Sequence, residues 1–237
     1  LYSMAAALRA MEGRSGLYQM DDVEISTPDG SAWGLEGRHE DVNITQVIFP
    51  KATFKDVAGS ESRTAVEALA SRGIINGMGD GSFVPDSSMT RAQFASIVVK
   101  ALGLPEVSES DFLDVSEGQW YYSFVSTACA YGIIDGRGNR IFDPDSDITR
   151  QEAAVMVSRA AKLCGMNTVL SDVEVENVLT RFLDCDEVSD WAAVEVAFCR
   201  GSGIWGEKDE YIQPLRPALR GEIAQMLYNM LGASRLL

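Results

Sequence analysis

The chain repeats itself three times, and this repetition limits the possible folds more than any other feature of the sequence. Each copy opens with a phenylalanine that is followed two residues later by an aspartate. The pairs are Phe54 and Asp56, Phe112 and Asp114, and Phe182 and Asp184. A repeated unit of this size cannot hide its own apolar face, so neighbouring copies must bury it between them. We therefore expect the three copies to share one core.

Three further landmarks return in the same order in every copy. A glycine-rich turn occupies residues 73–77, 132–136 and 203–206, and the third turn is one residue shorter. After this turn comes a phenylalanine or isoleucine that lies two residues before a proline. The last landmark is a four-residue segment whose second residue is arginine. These landmarks place the copies at residues 54–104, 112–166 and 182–232, with a connecting helix within residues 167–181.

The pattern within one copy predicts a helix, a loop and a second helix. The first helix ends at Gly73 in the first copy, since glycine readily takes the left-handed conformation that closes a helix. The second helix begins with a capping box, Thr90 with Gln93 in the first copy and Thr149 with Glu152 in the second. The third copy has Leu219 in place of the threonine, which predicts a weaker cap.

An apolar stripe runs along each second helix. In the first copy it consists of Phe94, Ile97, Val98, Ala101 and Leu102, at the spacing of a helix with one face in a core. Three such helices around an axis can bury one another's stripes. The sequence therefore predicts an all-α, pseudo-threefold domain with a central three-helix bundle and three outward helix-loop prongs. Residues 1–23 have the composition of a helix, and residues 24–53 favour a linker that includes β structure.

Charge and residue counts exclude several classes of function. Against 35 Asp and Glu the chain has 20 Lys and Arg, and the net charge of −15 argues against binding to nucleic acid or an anionic membrane. No apolar run is long enough to predict a membrane span. The four cysteines form no CxxC pair and His39 is the only histidine, so we expect no metal site, no cofactor and no catalytic residue.

The ordered landmarks closely resemble the S-layer homology domain. This resemblance implies three repeats within one chain, acting as a monomer, with grooves between neighbouring prongs. It further implies an extracellular protein that binds a secondary cell-wall polysaccharide, typically pyruvylated and linked to peptidoglycan, and so holds a surface protein to the bacterial wall. Residues 7–23 show a shorter resemblance to the closing helical hairpin of an α/α-toroid domain of the terpenoid cyclase and prenyltransferase type. This resemblance implies that residues 1–23 are the tail of an upstream helical domain.

Ten residues are candidates for contact with the glycan. They are Arg91, Arg150, Arg220, Asp56, Asp114, Asp184, Trp120, Trp191, Gly77 and Gly136. The arginines fall in the first turn of a helix, where free amides and the helix dipole favour an anion such as a pyruvate carboxylate. Tryptophan can pack on a sugar ring, aspartate can accept bonds from hydroxyls, and the glycine turns present backbone amides.

Other interpretations of the same residues stay open. The arginines can be merely solvated, the tryptophans can anchor the outer helices, and the aspartates can be helix caps or loop ties. Among the arginines we expect Arg150 to matter most, because Thr149 caps its helix and its own copy supplies Trp120. We also expect its side chain to point away from the core, so that removing it leaves stability unchanged.

Two alternative functions remain. Asp143, Asp145 and Asp147 suggest a calcium-dependent, dockerin-like module that binds a protein partner, but Ile148 and Ala154 stand where such a loop needs glycine and glutamate. The chain can also be the non-catalytic tail of a surface enzyme whose catalytic part lies upstream.

Overall fold

The computed structural model describes residues 24–26, 46–48, 51–206 and 210–237. Two three-residue strands, β1 (Glu24–Ser26) and β2 (Gln46–Ile48), pair in antiparallel fashion. The helix expected within residues 1–23, with its toroid-like hairpin, lies outside the described residues, as does most of the expected linker.

Seven α-helices follow in the described part of the chain. They are α1 (Arg63–Ser71), α2 (Arg91–Leu102), α3 (Tyr122–Ala130), α4 (Arg150–Leu163), α5 (Asp172–Leu179), α6 (Ala193–Gly201) and α7 (Arg220–Ala233). Two short 3₁₀ turns, Cys185–Glu187 and Asp190–Ala192, precede α6. Helix α5 occupies the segment between the second and third copies.

The second helix of each copy begins where its capping residues place it. The Thr90 hydroxyl accepts the Gln93 amide at 3.2 Å, and the Gln93 side chain accepts the Thr90 amide at 3.1 Å. Thr149 and Glu152 make the same pair of bonds at the start of α4. At α7 only half of the box exists, because Leu219 has no hydroxyl and Glu222 alone accepts the amide of residue 219 at 2.9 Å. The third cap is therefore weaker, as the sequence predicts, because it lacks one of the two hydrogen bonds of the box.

The core lies where the stripes of α2, α4 and α7 meet. These three helices contact one another pairwise, and their central side chains, such as Phe94, Val157 and Leu227, are fully buried. Burying one such side chain stabilises the fold by about 1.5 to 3 kcal/mol. The all-α class predicted from the periodicity is confirmed.

The first helices are arranged in a cycle around this bundle. Helix α3 of the second copy packs on α2 of the first, and α6 of the third copy packs on α4 of the second. Helix α1 of the first copy packs on α7 of the third, which closes the ring, while α5 packs on α6. Each copy thus completes the core of its neighbour, and the domain has no separate core for each copy.

Candidate functional site

The aspartate that follows the opening phenylalanine ties down a distant loop in every copy. Asp56 accepts the amides of Phe83 and Val84 at 2.9 and 2.7 Å. Asp114 accepts those of residues 142 and 143, and Asp184 those of residues 212 and 213. Of the interpretations left open by the sequence, the structure therefore places all three aspartates as loop ties.

These ties hold a strained backbone. Val84, Asp143 and Gln213 are equivalent residues, and all three have positive φ, at 57°, 63° and 50°. Such angles are unfavourable for a side chain with a Cβ, above all for a β-branched valine. Because the amide of each strained residue donates to an aspartate carboxylate, the tie offsets part of the strain. The hydrogen bonds from Phe83 and Val84 also hold the pKa of Asp56 below its usual value, outweighing a raising effect of burial.

The free amides at the start of each second helix are bonded to the next copy. The amides of Arg91 and Ala92 donate to carbonyls of residues 146 and 144 at 2.9 and 3.0 Å. Those of Arg150 and Gln151 donate to residues 216 and 214, and those of Arg220 and Gly221 to residues 87 and 85. These helix ends are therefore junctions between copies, and their first amides are not available to an anion.

The arginine side chains belong to the same junctions. Arg91 donates to the Phe142 carbonyl at 2.9 Å, and its guanidinium lies 4.7 Å from the centre of the Phe142 ring. Arg220 donates to the carbonyls of Phe83 and Asn76, both at 2.9 Å, and lies 4.4 Å from the Phe83 ring. Burial lowers the pKa of both arginines, yet a guanidinium remains charged at neutral pH. Each arginine of this kind fastens one copy to the next.

Arg150 corrects an expectation drawn from the sequence. Its side chain is not directed away from the packed interior but is 4% exposed, lies 4.6 Å from the Trp205 ring and donates to Gln213. Trp120, which was expected to complete its site, lines neither of the two grooves described below. Removing Arg150 will therefore cost stability, because a guanidinium stacked between copies carries both hydrogen bonds and packing.

The third copy reaches the same packing with different residues. Phe54 and Phe112 each pack against the phenylalanine of their own loop, at 5.5 and 5.4 Å between ring centres. In the third copy the loop residue is Ile212, so Phe182 has no loop phenylalanine to pack against. The Arg200 guanidinium packs on Phe182 in its place, 4.6 Å from the centre of the Phe182 ring and 4.5 Å from that of Trp205. Arg200 is 2% exposed and donates to the carbonyls of residues 206 and 211.

Gly77 and Gly136 are explained by packing against these phenylalanines. A Cβ at residue 77 would lie 2.4 Å from the Phe54 ring and 2.6 Å from the Ser82 carbonyl. A Cβ at residue 136 would lie 2.8 Å from the Phe112 ring. Only glycine fits at either position.

Two grooves open at junctions between copies. We call the first groove A, a cavity of about 470 Å³ that Arg91, the turn around Gly136, the start and middle of α4, and Trp191 line together. Its members come from all three copies. The Trp191 indole is 57% exposed, which leaves an aromatic face open to a ligand.

The second groove, groove B, has a volume of about 480 Å³ and lies at the next junction around the ring. Arg150, Trp205 and Gly206 line it, with Glu61 at the position where the second and third copies carry an exposed tryptophan. Trp205 is 5% exposed, so groove B has no open indole comparable to Trp191. The two grooves therefore differ in the aromatic surface that they offer to a ligand.

The two grooves also differ in charge. Groove A is lined by three arginines, Arg91, Arg137 and Arg159, and two carboxylates. Groove B is lined by one arginine and three carboxylates, Glu61, Asp86 and Glu222. In a chain with a net charge of −15, groove A thus offers a local excess of cations, which is what an anionic ligand requires.

Comparison with known families agrees with this geometry. Residues 53–95 and 111–154 match the model of the S-layer homology domain. The chain carries S-layer homology domains. Both matched segments run from the aspartate tie into the second helix, and domains of this family anchor surface proteins and enzymes to the bacterial cell wall. The third copy lies outside both matched segments, and its likeness to the other two rests on its tie and its junctions.

Relatives that share the S-layer homology region are of different kinds. An exoglucanase of Acetivibrio thermocellus is 32% identical over 87% of this chain, and an amylopullulanase of Thermoanaerobacterium thermosulfurigenes is 34% identical over 77%. A surface-layer 125 kDa protein of Lysinibacillus sphaericus is 30% identical over 76%. The matches cover 19%, 10% and 15% of those proteins. The chain therefore spans no more than about a fifth of the length of these relatives.

Two groove residues were not singled out from the sequence. Arg137 follows the glycine turn of the second copy, where the first copy has Met78, and Arg159 lies nine residues after Arg150, where the third copy has Asn229. Aligning the copies shows Arg137 as a departure from the repeat, which is a signal that could have identified it, whereas Arg159 has a basic counterpart, Lys100, in the first copy. In the described part of the chain no helix is long and apolar enough to span a membrane, and no three His, Cys, Asp or Glu residues there form a metal-binding group.

Proposed function

We propose that this chain anchors its parent protein to the bacterial cell wall, without a covalent bond, by binding a secondary cell-wall polysaccharide linked to peptidoglycan. The observation that carries the proposal is groove A, with its open indole and its cluster of arginines. Its volume falls within the range of about 300 to 1,000 Å³ that is usual for small-ligand sites. A pyruvylated sugar combines an apolar ring face with a carboxylate, so it matches both features.

Of the residues selected from the sequence, we propose Trp191, Gly136 and Arg91 as members of this site. Trp191 would pack against a sugar ring, the turn at Gly136 would contact the ligand through its backbone, and Arg91 forms part of the floor. Arg150 belongs to groove B, which has fewer cations. Arg220, Trp120 and Gly77 would serve the third junction.

The range of proteins that contain a similar segment supports an anchoring role rather than a catalytic one. It recurs in proteins named as two different glycan-degrading enzymes and a surface-layer protein, so no single reaction is common to all of them. We propose that the chain itself is not an enzyme. We also propose that it acts as a monomer, because the ring of copies closes within one chain.

The proposal can be tested by sedimentation of the purified chain with isolated cell walls of Acetivibrio thermocellus. The chain should sediment with intact walls and stay in solution after acid extraction of the secondary polymer. Binding that survives the extraction unchanged would instead identify peptidoglycan as the ligand and refute the polysaccharide.

A matched pair of variants tests the place of binding. Trp191 and Trp120 have the same exposure, 57%, but only Trp191 lines groove A. Losing an aromatic contact of about 1 kcal/mol corresponds to about a fivefold loss of affinity. We expect this loss in Trp191→Ala and not in Trp120→Ala. The reverse result would move the principal site to the third junction.

A further inference from the structure

We propose that Arg137 and Arg159, and not the arginine in the first turn of the helix, contact the acidic substituent of the wall polysaccharide in groove A. This inference rests on the proposed function and adds to it the residues that recognise the negative charge. Both side chains line the groove, and for each of them at least one other copy has an uncharged residue at the equivalent position.

Arg91 is already occupied by the fold. Its Nε donates to the Phe142 carbonyl, its Nη1 to Glu152 at 3.0 Å, and its Nη2 to the Asp135 carbonyl at 3.4 Å. The side chain is 5% exposed. An anion that took these donors from their carbonyls would loosen the junction between the first two copies, so Arg91 is better suited to hold the groove than to bind the ligand.

Arg137 lies at the mouth of the same groove and is far more accessible. Its side chain is 37% exposed. It makes four hydrogen bonds, three to Glu152 and one to Asp143. Since a guanidinium has five N–H donors, at least one remains for a ligand without breaking these bonds. The two carboxylates fix the orientation of the side chain, which reduces the entropy lost when a ligand binds.

Arg159 offers still more donors. It lies on α4, its side chain is 30% exposed, and it pairs with Asp135 at 2.6 Å. Asp135 is itself 75% exposed, so water screens this pair strongly and the pair is easily exchanged for another anion. Within the described residues Asp135 is the only carboxylate in an ion pair with Arg159. A ligand carboxylate can therefore replace Asp135 or share the guanidinium with it.

The repeat supplies substitutions that other copies already tolerate. The first copy has Met78 at the position of Arg137, and the third has Asn229 at the position of Arg159. Arg137→Met and Arg159→Asn therefore remove the charges with residues compatible with the fold. Arg181, an exposed arginine after α5 and outside both grooves, provides Arg181→Met as a control with the same change in net charge.

The experiment measures binding of the whole chain and its variants to two preparations of polysaccharide from Acetivibrio thermocellus walls, one untreated and one with its pyruvate ketals hydrolysed by mild acid. A charge-assisted hydrogen bond exchanged against an existing pair should be worth about tenfold in affinity. We expect each groove variant to bind the untreated polymer about tenfold more weakly, with Arg181→Met unchanged. On the hydrolysed polymer the parent and the two groove variants should bind alike. Melting temperatures are measured in parallel: those of Arg159→Asn and Arg181→Met should match the parent, whereas that of Arg137→Met should fall, because the variant loses the bonds to Glu152 and Asp143. All variants should stay fully folded at the temperature of the binding assay.

Each outcome separates this inference from the proposed function. If the parent binds the untreated polymer and both groove variants bind it as strongly, the inference is refuted while the anchoring function stands. If the variants lose the same affinity on both preparations, the arginines contact some other part of the polymer and the inference is also refuted. If the parent binds neither walls nor polymer, the proposed function fails and the inference fails with it.

Discussion

Arg220 is the side chain through which the ring of three copies closes, and its removal should unfold the domain more easily. Arg220→Ala removes two hydrogen bonds of 2.9 Å to the carbonyls of Phe83 and Asn76 and a guanidinium 4.4 Å from the Phe83 ring. Hydrogen bonds from a charged donor contribute about 1.5 to 3 kcal/mol each, and a cation over an aromatic ring about 0.5 to 1 kcal/mol.

The expected loss of unfolding free energy in Arg220→Ala lies near the low end of the sum of these contributions. Arg220 is half-buried, so water can replace part of what the side chain loses. We expect the free energy of unfolding to fall by about 3 kcal/mol. For a domain of this size 1 kcal/mol shifts the melting temperature by roughly 2 to 4 °C, so Arg220→Ala should melt about 6 to 12 °C lower.

Urea unfolding followed by circular dichroism at 222 nm measures this loss directly, since the unfolding free energy varies linearly with denaturant. The control is Arg181→Ala, which removes an exposed arginine and should change stability by less than about 0.5 kcal/mol. Arg220→Lys should recover part of the loss, because an ammonium keeps the charge but cannot reach both carbonyls. An Arg220→Ala chain as stable as the parent would show that the junction arginines do not hold the copies together.

Three further outcomes follow from the same structure. Hydrogen bonds from Phe83 and Val84 lower the folded-state pKa of Asp56, and hydrogen bonds from the Ser82 hydroxyl and amide lower that of Asp80 to about 2. The stabilisation by both carboxylates is therefore complete above the unfolded pKa near 4. It is lost as the pH falls through the folded values, so thermal melts from pH 5 to pH 2 should show a steady decline that is smaller in Asp56→Asn. Gly77→Ala should lower the unfolding free energy by about 1 to 3 kcal/mol, whereas Gly59→Ala, where a Cβ meets open space, should change it little in the same urea assay. A chain beginning at Lys51 should melt cooperatively and at the same temperature with or without a chelator, and a sharp fall in chelator would revive a calcium-dependent function.

The local structure could be predicted from the sequence because its signals are local. Thr90 with Gln93 and Thr149 with Glu152 mark helix starts within four residues, and the spacing of the apolar residues that follow gives the buried face. The capping bonds and the bundle of second helices appear as these patterns indicate. Such short-range features depend little on how the copies are connected.

The order of the copies around the ring could not be predicted in the same way. Arg91 meets Phe142, 51 residues away, and Arg220 meets Phe83, 137 residues away. No short-range pattern specifies such partners, and a charged side chain in a first turn normally faces water. The sequence therefore suggested arginines open to a ligand or to water, whereas the structure buries Arg91 and Arg150 and half-buries Arg220.

Arg200 shows a related limit. It occupies the position of Ala70 in the first copy and Cys129 in the second, and nothing near it in sequence suggests that it is 2% exposed. Its burial follows from two other changes, Ile212 in place of a phenylalanine and Trp205 in place of an isoleucine. Together they leave an aromatic-lined space that a guanidinium fills. Compensating changes of this kind can be recognised only when the packing of the side chains is known.

The closed ring has a mechanical consequence for a tethered protein. Tension on the segment before residue 54 enters the first copy, which is held from one side by the second copy through Arg91 and from the other by the third through Arg220. Detaching that copy requires both junctions to break, because each of them alone still ties the copy to a neighbour. A row of copies joined only end to end could lose its first repeat by breaking one junction, whereas the closed ring requires two.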